Sequence, residues 1–293
     1  MTNDAPDLEL GAAVVEFEAV RRQLFGVAYR MLGSATEAED IVQEAWLRWQ
    51  STDRSVVRNP AAFLVTTTTR LAINAATSAR ARREVYVGPW LPEPVLTADD
   101  PSLGAERNEA LDLAVLVLLE RLTPTERAVY VLREAFDYPF SQIAEVLELS
   151  EANTRQIAHR AKDHLAGDRH EPVSPDEHDR LLRAFLNAAR LGDLEALEGL
   201  LAENVVALSD GGGVVSAARR PVVGRDRVGR FVAGIAEKGG PGFDVVTVEI
   251  NGRTALLVTI HGAPYGVISI DASPAGIERV YAVVNPAKLG AFA

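Results

Sequence analysis

The stretch from Thr123 to Leu165 admits few folds, because it punctuates three helical segments at short intervals. Thr123-Pro124-Thr125-Glu126 is a helix start: Thr as N-cap, Pro at the first helical position, Glu three residues after the cap. Apolar Ala128, Val131, Leu132 and Ala135 follow. Asp137-Tyr138-Pro139 ends that helix, since Pro lacks an N–H donor and pushes the preceding residue out of the α region. Phe140, Ile143, Ala144 and Leu147 recur at i, i+3, i+4, i+7, one face of a second helix. Leu149-Ser150 turns the chain, and Ser150 can cap a third helix. There Ile157, Ala161 and Leu165 line one side, while Arg155, Gln156, His159, Arg160 and Lys162 fall largely on the others. Small Ala144 lets the third helix cross closely over the second.

Two helices at a tight turn are the pattern of a helix-turn-helix, whose second helix enters the DNA major groove. An ordinary helical hairpin with a solvated basic face has the same spacing, so the motif needs support elsewhere in the chain. Arg matches guanine and Gln matches adenine, both bidentately. Arg155 and Gln156 supply those groups early in the helix, where base contacts usually fall.

Charge limits how such a chain binds DNA. The net charge of the 293 residues is −11, and residues 1–170 hold 18 Lys/Arg against 26 Asp/Glu. Phosphate neutralisation supplies most non-specific affinity, so an acidic chain binds DNA weakly alone. A protein partner carrying most of the positive surface is therefore expected. The basic residues do cluster, at Arg80, Arg82 and Arg83 and again at Arg155 to Lys162; the acids collect at Glu37 to Glu44 and Asp99 to Asp112. The chain has no cysteine, which excludes disulfides and thiolate metal sites and fits a cytoplasmic location. No apolar run is long enough to span a membrane, and Met1 to Leu10 is acidic, unlike a secretory signal. At 47% hydrophobic, the chain suits packed globular domains, about two by length.

In the N-terminal part, Glu16 to Leu32 reads as one helix with Phe17, Val20, Leu24, Val27, Ala28 and Met31 on a face, ended by Gly33. Ser34 to Glu37 is another capping box. The helix after it carries Ile41, Val42, Ala45, Trp46 and Trp49 inward, with Glu37, Asp40, Gln43 and Glu44 on another side. Simple solvation is the ordinary explanation of such an acidic face. Residues 51–59 form a polar loop with Arg54 and Arg58. Asn59-Pro60 starts a third long helix running to about Arg83. Its Thr66 to Thr69 run is unusual, since β-branched residues lose rotamer freedom in helices. These hydroxyls and Arg70 are expected on an exposed face that serves nucleic acid.

These residues carry a family resemblance. Ala38-Glu39-Asp40-Ile41-Val42-Gln43-Glu44-Ala45-Trp46 resembles the region 2 signature of bacterial sigma factors, Arg70 to Arg83 the end of that region, and Thr123 to Leu165 region 4. Two helical domains joined directly by a linker resemble the extracytoplasmic-function class. The resemblance implies that Glu37, Asp40, Gln43 and Glu44 dock on core RNA polymerase. It implies that Arg54, Arg58, Arg70, Asn74 and Arg80 melt and read the −10 promoter element, where unstacked bases are captured. It implies that Arg155, Gln156, His159, Arg160 and Lys162 read the −35 element. Where family recognition helices often show Gly-Thr-Val-Lys-Ser, this chain has Ala152-Asn153-Thr154-Arg155-Gln156.

The linker carries Gly88-Pro89-Trp90-Leu91-Pro92-Glu93-Pro94 and Ala98-Asp99-Asp100-Pro101, whose prolines favour extended chain. A free spacer would be polar. Tyr86, Trp90 and Leu91 instead need a surface to dock on. Leu111 to Leu122 then begins the second helical domain.

The C-terminal third starts with Ser174-Pro175-Asp176-Glu177, a further capping box, followed by Leu181, Leu182, Phe185 and Ala189 at helical spacing and a stop at Gly192. Asp193 to Leu201 reads as a short helix, Val205 to Leu208 as a strand, and Gly224 to Glu237 as a helix. Strand-like runs follow at 243–250, 255–260, 265–270 and 277–284, with the hairpin signal Asn251-Gly252 between the first two. Helices first and a curled antiparallel sheet after give an α+β domain. This order resembles the SnoaL-like (nuclear transport factor 2-like) cone, whose sheet wraps a pocket. Trp90 to Pro94, Asp210-Gly211-Gly212-Gly213 and Asn285-Pro286-Ala287-Lys288-Leu289 resemble motifs of the sigma-J-like group, which carries this domain fused. That group often has a basic residue after the glycines and Asp before the final Lys, where Val214 and Ala287 stand here. The resemblance implies regulation in cis, with Trp90, Leu91 and Pro92 contacting Asp210, Gly211 and Lys288.

The expected fold is thus multidomain: two all-α sigma domains, a region 2 bundle over 14–83 and a region 4 helix-turn-helix over 107–168, joined by a linker over 84–106. A SnoaL-like α+β regulatory domain follows over 174–293. The implied partners are core RNA polymerase and promoter DNA, with a small molecule in the C-terminal pocket as a further candidate, no membrane, and a monomer when free. Two other readings share parts of this pattern. A ligand-responsive helix-turn-helix regulator would be a dimer on palindromic DNA and would leave Asp40 to Trp46 unexplained. A SnoaL-like isomerase or cyclase fused to a DNA-binding module would use pocket groups such as His261, Tyr265 and Tyr281 for proton transfer. No strand Asp or Glu pairs with those three, and fold alone does not license an activity. The expectation is a non-enzyme with no catalytic residue, cofactor or metal.

Overall fold

The computed structural model describes residues 5–97, 112–167, 170–238, 240 and 242–292, with backbone alone for 5–10. They fall into two compact units. One takes residues up to 82 together with 118–167; the other takes 83–97, 112–117 and 170–292. The Ala98–Pro101 stretch of the linker, expected to be extended, and the acidic residues between Asp99 and Leu111 lie outside the described residues.

The first unit is helical. Its elements are α1 (Ala5–Glu18), α2 (Arg21–Leu32), α3 (Ala35–Ser51) and α4 (Pro60–Glu84). The expected single helix from Glu16 to Leu32 is broken: α1 stops at Glu18 and α2 starts at Arg21. Val20 at the junction has a non-helical ψ and no capping side chain, so apolar periodicity runs across a break that carries no Pro or Gly to mark it. Gly33 closes α2 in the left-handed conformation, and the Ser34 hydroxyl accepts from Glu37 N to open α3. Ala38, Val42, Ala45 and Trp49 of α3 are buried, while Ile41 and Trp46 are half-buried. The expected loop at 51–59 contains a 3₁₀ turn over Arg54–Val56. Asn59 Oδ1 accepts from Ala62 N at the start of α4.

Chain from α5 (Leu113–Leu119) leads to α6 (Pro124–Tyr130), which carries the full Thr123–Glu126 capping box. A π-helical turn over Val131–Ala135 follows. Asp137, at φ 58°, then leaves the helix ahead of Pro139. The tight hairpin is α7 (Phe140–Leu147) and α8 (Glu151–Ala166), with Glu148 in the left-handed region between them and Ser150 Oγ accepting from Asn153 N.

In the second unit, α9 (Pro175–Leu191) and α10 (Leu194–Leu200) precede β1 (Leu201–Asp210), β2 (Val222–Val223), α11 (Arg225–Lys238), β3 (Phe243–Ile250), β4 (Arg253–Ile260), β5 (Ala263–Ser273) and β6 (Gly276–Val283). The strand order is β2-β1-β6-β5-β4-β3. The sheet is not wholly antiparallel, as expected from the strand runs. β1 lies parallel to β6: four strands and α11 intervene, and the chain re-enters beside β1 in the same direction. Period-2 alternation splits the side chains between two faces. Leu256, Ile270 and Val280 join α9, α10 and α11 in one core; Ala255, Val267, Tyr281 and Val283 face the other way. That second face is covered by Leu91 of the linker, Leu113 and Ala114 of α5, and Leu289. The first turns of α5, read from sequence as the start of a helical domain, therefore pack on the sheet.

Candidate functional site

Three clusters carry the candidate residues. The first lies on α3. Asp40 and Gln43 are exposed, Glu44 pairs with Arg48 at 2.9 Å, and Glu37 is half-buried in an ion pair with Arg82. Asp40 and Gln43 edge a groove of about 380 Å³ between α1 and α3 whose apolar wall is Val14, Phe17, Val42 and Trp46. The four expected docking residues are thus not one free acidic face: two are open, and two are held by arginines of the chain itself.

The second cluster is the basic face of α8. Thr154, Ile157, Ala158, Ala161 and Leu165 are buried, and Arg155, Gln156, His159, Arg160 and Lys162 all point outward. Arg155 pairs with Glu151 and lies over the Phe140 ring, Lys162 pairs with Glu134 at 2.9 Å, and His159 Nδ1 lies 2.7 Å from Asp163. Exposed ion pairs hold weakly and exchange readily for a stronger anion.

The expected −10 residues divide. Arg58, Asn74 and Arg80 are exposed, and Arg54 lies 6.0 Å from the Trp49 ring. The Thr66–Thr69 run does not form the expected exposed hydroxyl face. Thr68 and Thr69 are fully buried with their hydroxyls unbonded, and Thr66 Oγ1 donates back to Ala62 O. Packing of α4 overrides the polarity of the run. Arg70 is exposed, with its Nε donating to Val146 O at 2.9 Å and its Nη2 meeting Glu148 Oε1 at 2.9 Å.

The third cluster is in the sheet unit and is the most tightly built. Asp210, at the end of β1, has no exposure. Its carboxylate accepts from Tyr86 Oη at 2.6 Å, Leu91 N at 2.9 Å, Gly212 N at 3.0 Å and Lys288 Nζ at 2.7 Å. Lys288 Nζ also donates to Leu91 O and lies 4.2 Å from the centre of the Trp90 ring, with the Arg83 guanidinium 3.5 Å from that same ring centre. Asn285 Nδ2 donates to Tyr86 Oη at 2.9 Å. Burial pulls the Lys288 ammonium below its usual pKa against the pull of Asp210. Burial, then the Asp210 carboxylate, pushes the Tyr86 phenol above its own. Gly211 must lack a side chain, since a Cβ there would lie 2.4 Å from Val215 O. Pro92 is buried beside Leu91.

The linker continues along the sheet edge. Leu96 bridges antiparallel to Ile250 of β3, Asn251 N donates to Val95 O at 2.9 Å, and Thr97 Oγ1 donates to Glu249 Oε1 at 2.8 Å. An otherwise open strand edge is thereby covered.

Sequence reasoning passed over Arg127. Arg127 is 4% exposed, with Nη1 donating to Met31 O at 2.8 Å and to Glu120 Oε1 at 2.7 Å. The available signal was a cation followed directly by Ala128 and Val129 on a helix largely packed inward. Of the three candidate proton-transfer groups, Tyr281 is buried under the linker, and His261 and Tyr265 are exposed at the β4–β5 hairpin. None lines the cavity of about 80 Å³ between α9, α11 and the sheet, whose walls include Phe185, Phe231, Phe243 and Leu256. Among the described residues no His, Asp and Glu group is placed to hold a metal ion, and no helix is long and apolar enough to cross a membrane.

Comparison with known proteins gives a consistent picture. Residues 17–82 match the Sigma-70 region 2 family and residues 112–165 the Sigma-70 region 4 family. The chain is 41% identical over 263 residues to the ECF RNA polymerase sigma factor SigJ of Mycobacterium tuberculosis (strain ATCC 25618 / H37Rv), covering 85% of this chain and 83% of that one. It is 32% identical over 278 residues to the probable ECF RNA polymerase sigma factor SigI of M. tuberculosis (strain CDC 1551 / Oshkosh), covering 93% of each. Its structure resembles the crystal structure of M. tuberculosis extracytoplasmic function sigma factor SigJ with a TM-score of 0.77 at 35% identity, over 95% of this chain and 98% of that one.

Proposed function

The chain belongs to the extracytoplasmic-function RNA polymerase sigma factors, and from that premise we propose how its residues divide the work of binding core polymerase and directing initiation at particular promoters. Asp40, Gln43 and Glu44 dock on the polymerase, with Glu37 orienting Arg82 beside them. Arg54, Arg58, Arg70, Asn74 and Arg80 meet the melted −10 element. Arg155, Gln156, His159, Arg160 and Lys162 meet the −35 element in the major groove. The observation that carries this reading is α8: every apolar residue of its inner face is buried, and all five candidate readers are outside.

The fused α+β domain, whose helix and strand order is that of the SnoaL-like cone, acts in cis. It holds the linker at Asp210 and Lys288 and so restricts how regions 2 and 4 can be placed on two promoter elements of fixed spacing. The free chain is a monomer, as suits a factor that works singly on asymmetric DNA. A small molecule entering the cone is limited by the cavity of about 80 Å³ and its apolar lining. That is far below the roughly 300–1,000 Å³ of ordinary ligand pockets, so only a small apolar group fits.

The test is a titration of labelled full-length chain against core RNA polymerase, beside an Asp40→Lys, Glu44→Lys double variant. We expect tight binding by the parent and a loss of about a hundredfold or more in the variant, the scale for reversing charges at a docked interface. Equal binding by both would remove α3 from the interface.

A further inference from the structure

On the sheet face that takes the linker, charged side chains stand among apolar ones. Arg253 of β4 lies opposite Ile250 of β3, a residue of that covered face, so Arg253 points the same way. Asp271 of β5 lies directly opposite Arg279 of β6. By period-2 alternation from Ser269, whose partner Tyr281 is on the covered face, Asp271 shares that face. The β4–β5 register, with Leu256 opposite Ile268, continues so as to bring Arg253 level with Asp271. Asp271 therefore stands between two arginines. One of them is already engaged, because Arg253 Nε pairs with Asp112 Oδ2 at the start of α5. The other carboxylate oxygen of Asp112 accepts from Ala114 N at 3.0 Å, and its carbonyl from Leu116 N at 3.0 Å. A single residue thus caps α5 and fastens it to β4, beside the packing of Leu113 and Ala114 on the sheet. The Asp112 and Arg253 side chains are 13% and 25% exposed and Asp271 is half-buried, so water and salt screen these charges only in part. Two carboxylates converge on one guanidinium.

We propose that Asp112, Arg253 and Asp271 form a proton-sensitive clasp: a proton on Asp271 leaves Arg253 wholly to Asp112 and tightens the hold of the sheet on α5, and loss of that proton slackens it. The consequence for regulation rests on the reading of the fused domain as acting in cis. The groups that face Asp271 are Asp112 from the start of α5, Arg253 from β4, Arg279 from β6 and His170 from the chain before α9. Burial, then the like charge of Asp112, pushes the Asp271 carboxyl above its ordinary pKa, and His170, Arg279 and Arg253 pull the other way without cancelling it. A carboxyl raised in the docked form binds its proton better there than in the undocked form. Docking is therefore favoured as pH falls and weakened as Asp271 ionises. The chain that leaves the clasp is α5, which leads into α6 and the hairpin of region 4. A clasped α5 keeps its first turns on the sheet, and a slack one gives region 4 a longer tether. Acidification restrains region 4 through this contact, and a return to neutral pH releases it.

Hydrogen exchange at the Ala114 and Leu116 amides of the full chain reads the clasp directly, since both donate to Asp112. Protection is corrected for the intrinsic pH dependence of exchange and followed between about pH 5 and 8, a range in which His170 is the competing sensor. Amides of β1 and β6 serve as the control for global unfolding. Parent protection should rise about three- to fivefold as pH falls across that range, the scale of one charge pair at a partly exposed site. Asp271→Asn keeps the shape without the charge; its profile should be flat, and at the upper pH as protected as the parent is at the lower. Asp112→Asn should lose the pH dependence together with the ion pair, and His170→Gln should keep the parent profile. A flat parent profile overturns the clasp. So does an Asp271→Asn profile that slopes as the parent's does, and so does loss of the slope in His170→Gln. Binding of parent and Asp271→Asn to core polymerase, compared at the upper pH, separates the clasp from the regulatory reading: weaker binding by the variant is expected, and equal binding beside the expected exchange profiles overturns the regulatory consequence alone.

Discussion

Arg127 and Lys288 make the same kind of contact in different units. Each is a buried cation that holds one main-chain carbonyl and one carboxylate from distant parts of the chain: Met31 O and Glu120 for Arg127, Leu91 O and Asp210 for Lys288. Their surroundings differ. Asp210 has no exposure and accepts from four donors on the linker, the glycine turn and the C-terminal turn. Glu120 is 22% exposed, and Arg127 Nε is unbonded. A buried pair with an unmet polar group carries a desolvation cost that a fully bonded one does not. Lys288 is therefore the more fully bonded of the two, fastening the linker to the sheet, and Arg127, joining α6 to the end of α2, the less fully bonded.

The largest effect should come from breaking the more fully bonded fastening. Asp210→Ala leaves the Lys288 ammonium buried without its carboxylate, and removing one partner of a buried pair costs about 3–5 kcal/mol. Urea titration followed by hydrogen exchange in β1 and β6 should show the sheet unit destabilised by that much. A loss below about 1 kcal/mol would erase the distinction between the two cations.

Arg127→Met should cost the helical unit less, about 1–3 kcal/mol, the scale of removing a buried donor from Met31 O. Hydrogen exchange at the end of α2 should rise while β1 and β6 are unaffected. Equal exchange in parent and variant would mean that Arg127 does not hold the end of α2.

The smallest effect sharpens the fastening itself. Tyr86→Phe removes one donor to Asp210, and stability should fall by about 1–2 kcal/mol near neutral pH. The pH dependence has a definite sign. Tyr86 has a folded pKa above its ordinary value near 10, so its contribution is full below pH 10 and is lost as pH rises past it. Lys288 is lowered from 10.5, so below 10.5 the unfolded chain binds more protons and stability rises with pH there. The two oppose in the parent. In Tyr86→Phe the rise due to Lys288 should emerge, read from thermal melts between about pH 9 and 11. No difference in slope would place Tyr86 outside the coupled cluster.

Much of the fold could be read from short-range chemistry. The caps at Ser34, Thr123, Ser150 and Ser174 all form, because a capping hydroxyl and its N–H partner lie within three residues of each other. Binary pattern placed the inner face of α8 and the strand runs after Gly242. The break at Val20 and the short β2 were not legible, since neither carries a distinctive residue. The Thr66–Thr69 run was misread, because helix polarity says nothing about which neighbour covers it.

The sequence by itself determined the local elements, the helix-turn-helix with its outward basic face, the need for something to cover Trp90 and Leu91, and the family. Only the tertiary structure decided where long-range charges close. Asp210 meets Tyr86 across 124 positions, Arg127 meets Met31 across 96, and Arg70 meets Val146 across 76. It also decided that α5 begins its course on the sheet and that β1 runs parallel to β6. The physical reason is range. Capping and periodicity act between residues a few positions apart and leave their mark in the order of letters. A buried cation finds its carbonyl through the packing of whole elements, and that partner is written nowhere near it in the chain.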